Sequence, residues 1–115
     1  MATIIKQTAV DGTIDLQVGS VAATSGTPIL VSGVVADLLC IPKADAAAAG
    51  QVAAYVGGVV FRHAKAAVAI ESGEIAYWDN DNSVVTNANT SDTQIGYFVA
   101  AQLEGDANAD VYLSQ

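Results

Sequence analysis

The sequence predicts an all-β fold: a small single-domain β-barrel or β-sandwich with an extended N-terminal arm and at most one short helical turn. Three observations carry this. Short apolar runs recur at spacings of about 8–12 residues, the interval of one strand plus its turn. Ten Gly punctuate 115 residues, several of them in Ser-Gly or Gly-Gly pairs between those runs. Where an apolar period is readable, as at Ile75–Trp78, it is two, the period of a strand with distinct faces. A chain of this length is one domain. It divides into an arm over residues 1–12 and a β-barrel domain over residues 13–115.

The arm contains one strand, Thr3–Gln7. Its Ile4-Ile5 pair has no obvious place in a minimal barrel. Such a segment either reaches a neighbour by adding a strand to an exposed sheet edge or lies as an ordinary edge strand in its own subunit. Thr13–Leu16 is a second short strand. Ser25-Gly26 and Ser32-Gly33 bracket Pro28–Val31, and Pro28 lacks an N–H, so it belongs at the first position of a strand or on an edge. Val34–Ile41 is the first strong strand, interrupted only by Asp37 and ended by Pro42. Lys43–Ala49 is Ala-rich, yet seven residues are too few for a stable helix, so a loop or short turn is expected. Gln51–Val56 and Val59–His63 read as a paired hairpin across Gly57-Gly58.

Ala64–Ile70 is apolar with Lys65 exposed. Ser72-Gly73 turns into Glu74–Asp79, whose faces alternate Ile75 and Tyr77 with Ala76 and Trp78. The run Asp79-Asn80-Asp81-Asn82-Ser83 is a polar turn, because its short side chains hydrogen-bond local backbone. Val84–Thr86 is brief, Asn87–Thr93 is a polar loop, and Ile95–Leu103 is a long apolar strand with Tyr97 and Phe98 on opposite faces. Asp110–Leu113 is the last strand.

Twelve acidic residues against four Lys and Arg give a net charge of −8. Phosphate backbones repel such a surface, and no cluster among Lys6, Lys43, Arg62 and Lys65 overrides it, so no direct nucleic-acid contact is expected. No run is long enough to cross a bilayer as a helix, so no membrane partner is expected. Cys40, the single Cys, sits in an apolar run and reads as a buried thiol in a reducing cytoplasm. Aromatic residues are only 6% of the chain. Small aliphatic side chains must fill the core, and burial against copies of the same chain is a natural supplement.

A reaction centre is not evident. His63 lacks a neighbouring nucleophile and acid, and reads as an amphipathic side chain at a strand end or a subunit contact. Asp79–Ser83 offers alternating oxygens, but lacks the Gly and closing Glu of a calcium loop. It reads as a solvated turn, or as an adventitious cation site helped by Glu71 and Glu74. No catalytic residue, metal site or cofactor is expected, and the chain reads as no enzyme. Tyr77 and Trp78 are each either a core anchor or an interface anchor. The interface candidates are Ile4, Ile5, Tyr77, Trp78 and His63.

From Gly50 onward a pattern accumulates: the Gly-initiated strand Gly50–Val56, the step Gly58-Val59-Val60-Phe61, the apolar piece Ala67–Ile70, the pair Gly73-Glu74, and the strand Ala76-Tyr77-Trp78-Asp79. Ile95-Gly96 then opens a small apolar strand, and Val111-Tyr112-Leu113 ends the chain's last one. In this order and spacing the sequence resembles the small phage proteins of the capsid cement, or decoration, class. Upstream, SGTPILVSGVVADLLCIP is similar to the family's Gly- and Pro-punctuated region, with Ala36-Asp37 where a Gly-Val pair is common.

The resemblance implies a virion structural protein on the capsid outer surface, made in the bacterial host cytoplasm. It implies binding to the major capsid protein, homo-oligomerisation as a trimer, and reinforcement of the phage head against internal pressure. The alternatives are a virion surface protein for host attachment or display, and a small ligand-binding barrel or enzyme. The last of these requires a concave pocket lined by His63 or clustered carboxylates.

Overall fold

A computed structural model describes residues 2–7, 13–18, 22–31, 37–89 and 93–115. These residues form ten strands: β1 (Thr3–Gln7), β2 (Thr13–Gln17), β3 (Ile29–Val31), β4 (Leu38–Pro42), β5 (Gln51–Tyr55), β6 (Val59–Ala64), β7 (Ile75–Asp79), β8 (Val84–Thr86), β9 (Thr93–Phe98) and β10 (Asn108–Leu113). Every strand pairing is antiparallel. One sheet has six strands in the order β1-β6-β10-β9-β7-β8, and the other has four in the order β2-β5-β4-β3. The fold is thus all-β, with no helix among the described residues.

Of the two architectures the sequence allows, the closed barrel is corrected in favour of two open sheets. The outer side of β8 is already occupied: Lys65 bridges Val85, and the Ala66 amide donates to the Val85 carbonyl at 2.9 Å. Thr3–Gln7, part of the segment expected as an arm, lies as β1 on the opposite edge of this sheet, paired with β6.

Period-two alternation builds the core. On β6, Val59, Phe61 and His63 point in while Arg62 points out. On β10, Ala109, Val111 and Leu113 point in. These meet Trp78, Ile95, Phe98 and Val85 of the same sheet and Leu39 and Ile41 of β4 in one buried cluster. The alternate residue of β4, Cys40, faces a second and smaller cluster with Leu16, Val18, Val52 and Ala54. The smaller sheet therefore carries apolar side chains on both faces, which explains why β4 reads as an uninterrupted apolar run. Burial raises the Cys40 thiol pKa, since a thiolate there would lose its hydration.

The end of the chain fastens the two sheets. The Gln115 carboxamide accepts from the Leu39 amide at 2.8 Å, and its nitrogen donates to the carbonyls of Leu39 and Val56, each at 2.9 Å. A side chain here makes the bonds that a neighbouring strand would make.

Three expectations are corrected. Gln51–Val56 and Val59–His63 do not form a hairpin: β5 pairs with β2 and β4, and β6 pairs with β1 and β10. A two-residue hairpin turn of the favoured kind needs its first central residue at positive φ, but here only Gly58 (φ 70°) adopts it. Gly57-Gly58 is instead the crossover between sheets, and the Gly58 amide donates to the Leu113 carbonyl at 3.0 Å.

Lys65 is not exposed. It is 7% accessible, and its ammonium donates to the carbonyls of Ala66 (3.1 Å), Val68 (2.8 Å) and Glu104 (3.2 Å). Finally, the strand expected over Ile95–Leu103 stops at Phe98. Gln102 pairs with Ile70 instead, and Asp106 accepts from the Leu103 amide at 2.9 Å, turning the chain back into β10.

Candidate docking surface

The outer face of the six-stranded sheet is where this chain departs from an ordinary half-solvated sheet. On β7, β9, β10 and β6 the inward residues are fixed by the core, so the intervening ones face out. Their registers align Ile75 with Tyr97, Tyr97 with Tyr112, and Tyr112 with Val60. The result is one continuous row of apolar and aromatic side chains across four neighbouring strands, about 14 Å between the outermost strand axes. Tyr97 is 46% exposed and Ile75 40%, while Tyr112 and Val60 are half-buried by their neighbours. Tyr77, two residues on from Ile75, and Val99, two on from Tyr97, extend the patch. Three of the chain's four tyrosines stand on this face. The outer face of a two-layer sandwich is ordinarily polar.

One charged pair borders the row. Arg62 on β6 lies opposite Asp110 on β10, and the guanidinium donates to both carboxylate oxygens, at 2.8 Å and 3.1 Å. The Asp110 hydrogen bond and charge raise the Arg62 pKa further above its ordinary value. The pair is neutral as a unit.

Glycine sets the register of this face. Gly96 lies in β9 between Ala76 and Leu113, and a Cβ there would run into the Tyr112 carbonyl. Its φ is 155°. The pairing of β7 with β9 slips by one residue between Ala76 and Tyr77. The close approach at Gly96 thus explains the Ile-Gly step seen in the sequence.

Beneath the face, Trp78 is 2% exposed and His63 6%, so both lie inside the sandwich. Their ring centroids are 5.3 Å apart at an interplanar angle of 48°. The His63 Nε2–H donates to the Ser83 carbonyl at 2.9 Å, and the Trp78 indole N–H donates to Asn80 at 3.1 Å. These bonds hold the turn between β7 and β8 against the sheet. Of the other interface candidates, Tyr77 belongs to the outer face, and Ile4 is half-buried against the main core. Ile5 lies on β1, and its side chain is outside the described residues. Sequence reasoning did not single out Ile75, Tyr97 or Tyr112. The alternation within each strand was readable, but only the pairing registers place them side by side.

The Asp79–Ser83 turn is closed on itself. The Asp79 carboxylate accepts from the amides of Asp81 (3.1 Å) and Asn82 (3.2 Å) and from the Asn82 side chain (2.8 Å). The Asn82 side-chain bond is the main reason the Asp79 pKa lies below its ordinary value, with the two backbone amides adding to it. Glu74 is likewise engaged, accepting from the Glu71 amide at 3.1 Å and from the Asn87 side chain at 2.7 Å. Among the described residues no three His, Cys, Asp or Glu side chains gather as metal ligands.

An open groove of about 600 Å³ lies beside β2 and β3, lined by Leu16, Val18, Thr27, Pro28, Ile29 and Asn80 among others. Its described lining contains neither His63 nor any carboxylate, and no titratable side chain. Among the described residues no helix is long and apolar enough to cross a membrane.

No curated protein and no solved structure matches the chain. A family model does: that of phage cement protein, which matches residues 8–113 and therefore takes in the tyrosine row, its Arg62–Asp110 border and strands β2 to β10. The family is one of structural proteins of the bacteriophage capsid, and this chain, a small two-sheet domain with a tyrosine-rich outer face, belongs to the phage cement protein family.

Proposed function

We propose that this chain binds the outer surface of an assembled phage head, contacting the major capsid protein, and stabilises the shell as a homo-oligomer, with the trimer as the favoured state. The observation that carries the reading is the family match over residues 8–113. The geometry supports it in two ways. Ile75, Tyr97 and Val99, three of the five exposed large apolar side chains among the described residues, lie on or beside one sheet face, a surface suited to protein contact. The groove beside β2 and β3 lacks acid, base or strong nucleophile among its described lining, which favours adhesion over catalysis there. Repetition of a modest contact over many copies on one shell multiplies its effect. Synthesis in the host cytoplasm, before docking, is part of the same reading, and the reduced buried Cys40 is compatible with it.

The test is co-sedimentation of the purified protein with expanded empty shells at micromolar concentration, followed by thermal melting of the decorated shells. Saturable binding and a raised shell melting temperature are expected. Absence of binding would overturn the reading.

A further inference from the structure

The most exposed large apolar side chain among the described residues is Leu103, at 75%, well above Ile14, Ile75, Tyr97 and Val99 at 39–46%. It opens the turn Leu103–Asp106 between Gln102 and β10. A single exposed Leu is ordinary. The hold on its backbone is not. The Leu103 amide donates to the Asp106 carboxylate at 2.9 Å, and the Asp106 amide donates back to the Leu103 carbonyl at 3.1 Å. Before the turn, Gln102 and Ile70 bond each other; after it, the Lys65 amide donates to the Ala107 carbonyl at 3.1 Å. Within it, the buried Lys65 ammonium donates to the Glu104 carbonyl at 3.2 Å. A buried ammonium adds little net stability. It does fix the turn, and a group already held in place loses less freedom on binding.

Charge selects the partner. Glu104 and Asp106, both exposed, flank Leu103, so a socket for this turn needs an apolar floor and a basic rim. Among the described residues a second copy of the chain offers no such rim. Arg62 is paired with Asp110, Lys65 is buried against carbonyls, and Lys43 lies over the Tyr55 ring at 5.0 Å. The remaining cation, Lys6, has its side chain outside the described residues. The groove beside β2 and β3 supplies an apolar floor, but no titratable side chain is in its described lining.

We propose that the Leu103 turn is a pre-set knob that enters an apolar socket, rimmed by Lys or Arg, on the capsid shell protein. This rests on the capsid-stabilising reading and deepens it by naming the side chain that meets the shell and the chemistry that receives it. Leu103 fills the floor, and Glu104 and Asp106 pair with the rim.

The experiment is co-sedimentation of the full chain with expanded empty shells at about 50 mM and about 500 mM salt, with sedimentation velocity of the same proteins alone. The chains are the parent, Leu103→Ala, Glu104→Gln and, as a control on the other sheet, Ile14→Ala. All three positions are exposed, and a circular-dichroism melt verifies that each variant is folded. Leu103→Ala is expected to bind shells at least about 10-fold more weakly at both salt concentrations, with self-association unchanged. Glu104→Gln is expected to bind about 2- to 5-fold more weakly at low salt and like the parent at high salt, where the rim is screened. Ile14→Ala is expected to bind like the parent.

A Leu103→Ala variant that binds shells like the parent overturns the proposal while the capsid-stabilising reading stands, because the parent still binds. So does Ile14→Ala weakening as much as Leu103→Ala, or Glu104→Gln matching the parent at both salt concentrations. If Leu103→Ala loses self-association, the socket belongs to a second copy and the proposal fails. If the parent binds no shell, the capsid-stabilising reading fails and the proposal falls with it.

Discussion

Replacing Lys65 by Met tests whether a buried ammonium staples the loops at one end of the sandwich. Met keeps the aliphatic stem and removes the charge. Three charge-assisted bonds are lost, to Ala66, Val68 and Glu104. Glu104 is exposed, so water replaces the ammonium at its carbonyl with little net cost. The Ala66 carbonyl keeps the bond it accepts from the Val68 amide at 2.8 Å, so the cost falls on the half-buried Val68 carbonyl, at about 1 kcal/mol at the low end of the usual range. Relief of the ammonium's own desolvation keeps the total near that low end.

The expected loss is about 1 kcal/mol. For a domain of this size that corresponds to a melting temperature lower by about 4 °C. Calorimetry gives the shift, and a urea titration with unchanged slope shows that native compactness is kept. Hydrogen exchange supplies the local readout. Ile70 and Gln102 bond each other reciprocally at 2.9 Å, next to the staple, and their amides should lose protection in the variant. An unchanged or raised melting temperature would refute the reasoning, because the buried charge would then cost as much as its bonds return.

Three further outcomes follow from the core and its turns. Gly96→Ala sets a Cβ against the Tyr112 backbone and should cost about 3–5 kcal/mol, measured as a shift of the urea midpoint; a loss under about 1 kcal/mol would mean that β9 can slide away from β10. Trp78→Ala empties a 2%-exposed site and should cost about 3–5 kcal/mol, with the near-ultraviolet dichroism of the single Trp lost and the melting temperature falling steeply; an unchanged melting temperature would place Trp78 outside the packed core. Asp79 has a folded-state pKa below its ordinary value, so its stabilising contribution is complete above about pH 4 and lost as pH falls through the folded value. Asp79→Asn should therefore flatten the acid limb of melting temperature against pH, and an unchanged limb would remove Asp79 from the account.

Local patterning in the sequence was enough for several elements. Ile75 and Tyr77 alternate with Ala76 and Trp78 as the strand period demands, and Asp79–Ser83 turns because the Asp79 carboxylate accepts from the nearby amides of Asp81 and Asn82. Information held by distant residues was not legible. Gly57-Gly58 has the composition of a hairpin turn, but the partners that draw β5 and β6 into different sheets lie elsewhere in the chain. Lys65 reads as exposed because an isolated Lys in an apolar run usually is. The Glu104 carbonyl that receives it is supplied from 39 residues away.

The docking face was hidden for the same reason. In the sequence Tyr97 reads only as lying opposite Phe98 across its strand and Tyr112 only as part of the last strand, so neither stands out alone. Only the β9–β10 register, which the Gly96 contact permits, sets them side by side. The scarcity of aromatics did carry a signal: with so few in the chain, the gathering of three tyrosines on one face makes that face the candidate docking surface.

The carboxamide of Gln115 narrows the choice of amino acid at that position to one. Asn has the same group but is about 1.5 Å shorter, and would fall short of Leu39 and Val56 together. Glu matches the reach, yet it would set a carboxylate against two carbonyl oxygens and keep only the bond from the Leu39 amide. Lys and Arg bring donors without an acceptor. Polypeptide fused after residue 115 leaves the amide untouched, whereas a point change there unfastens the seam between the layers.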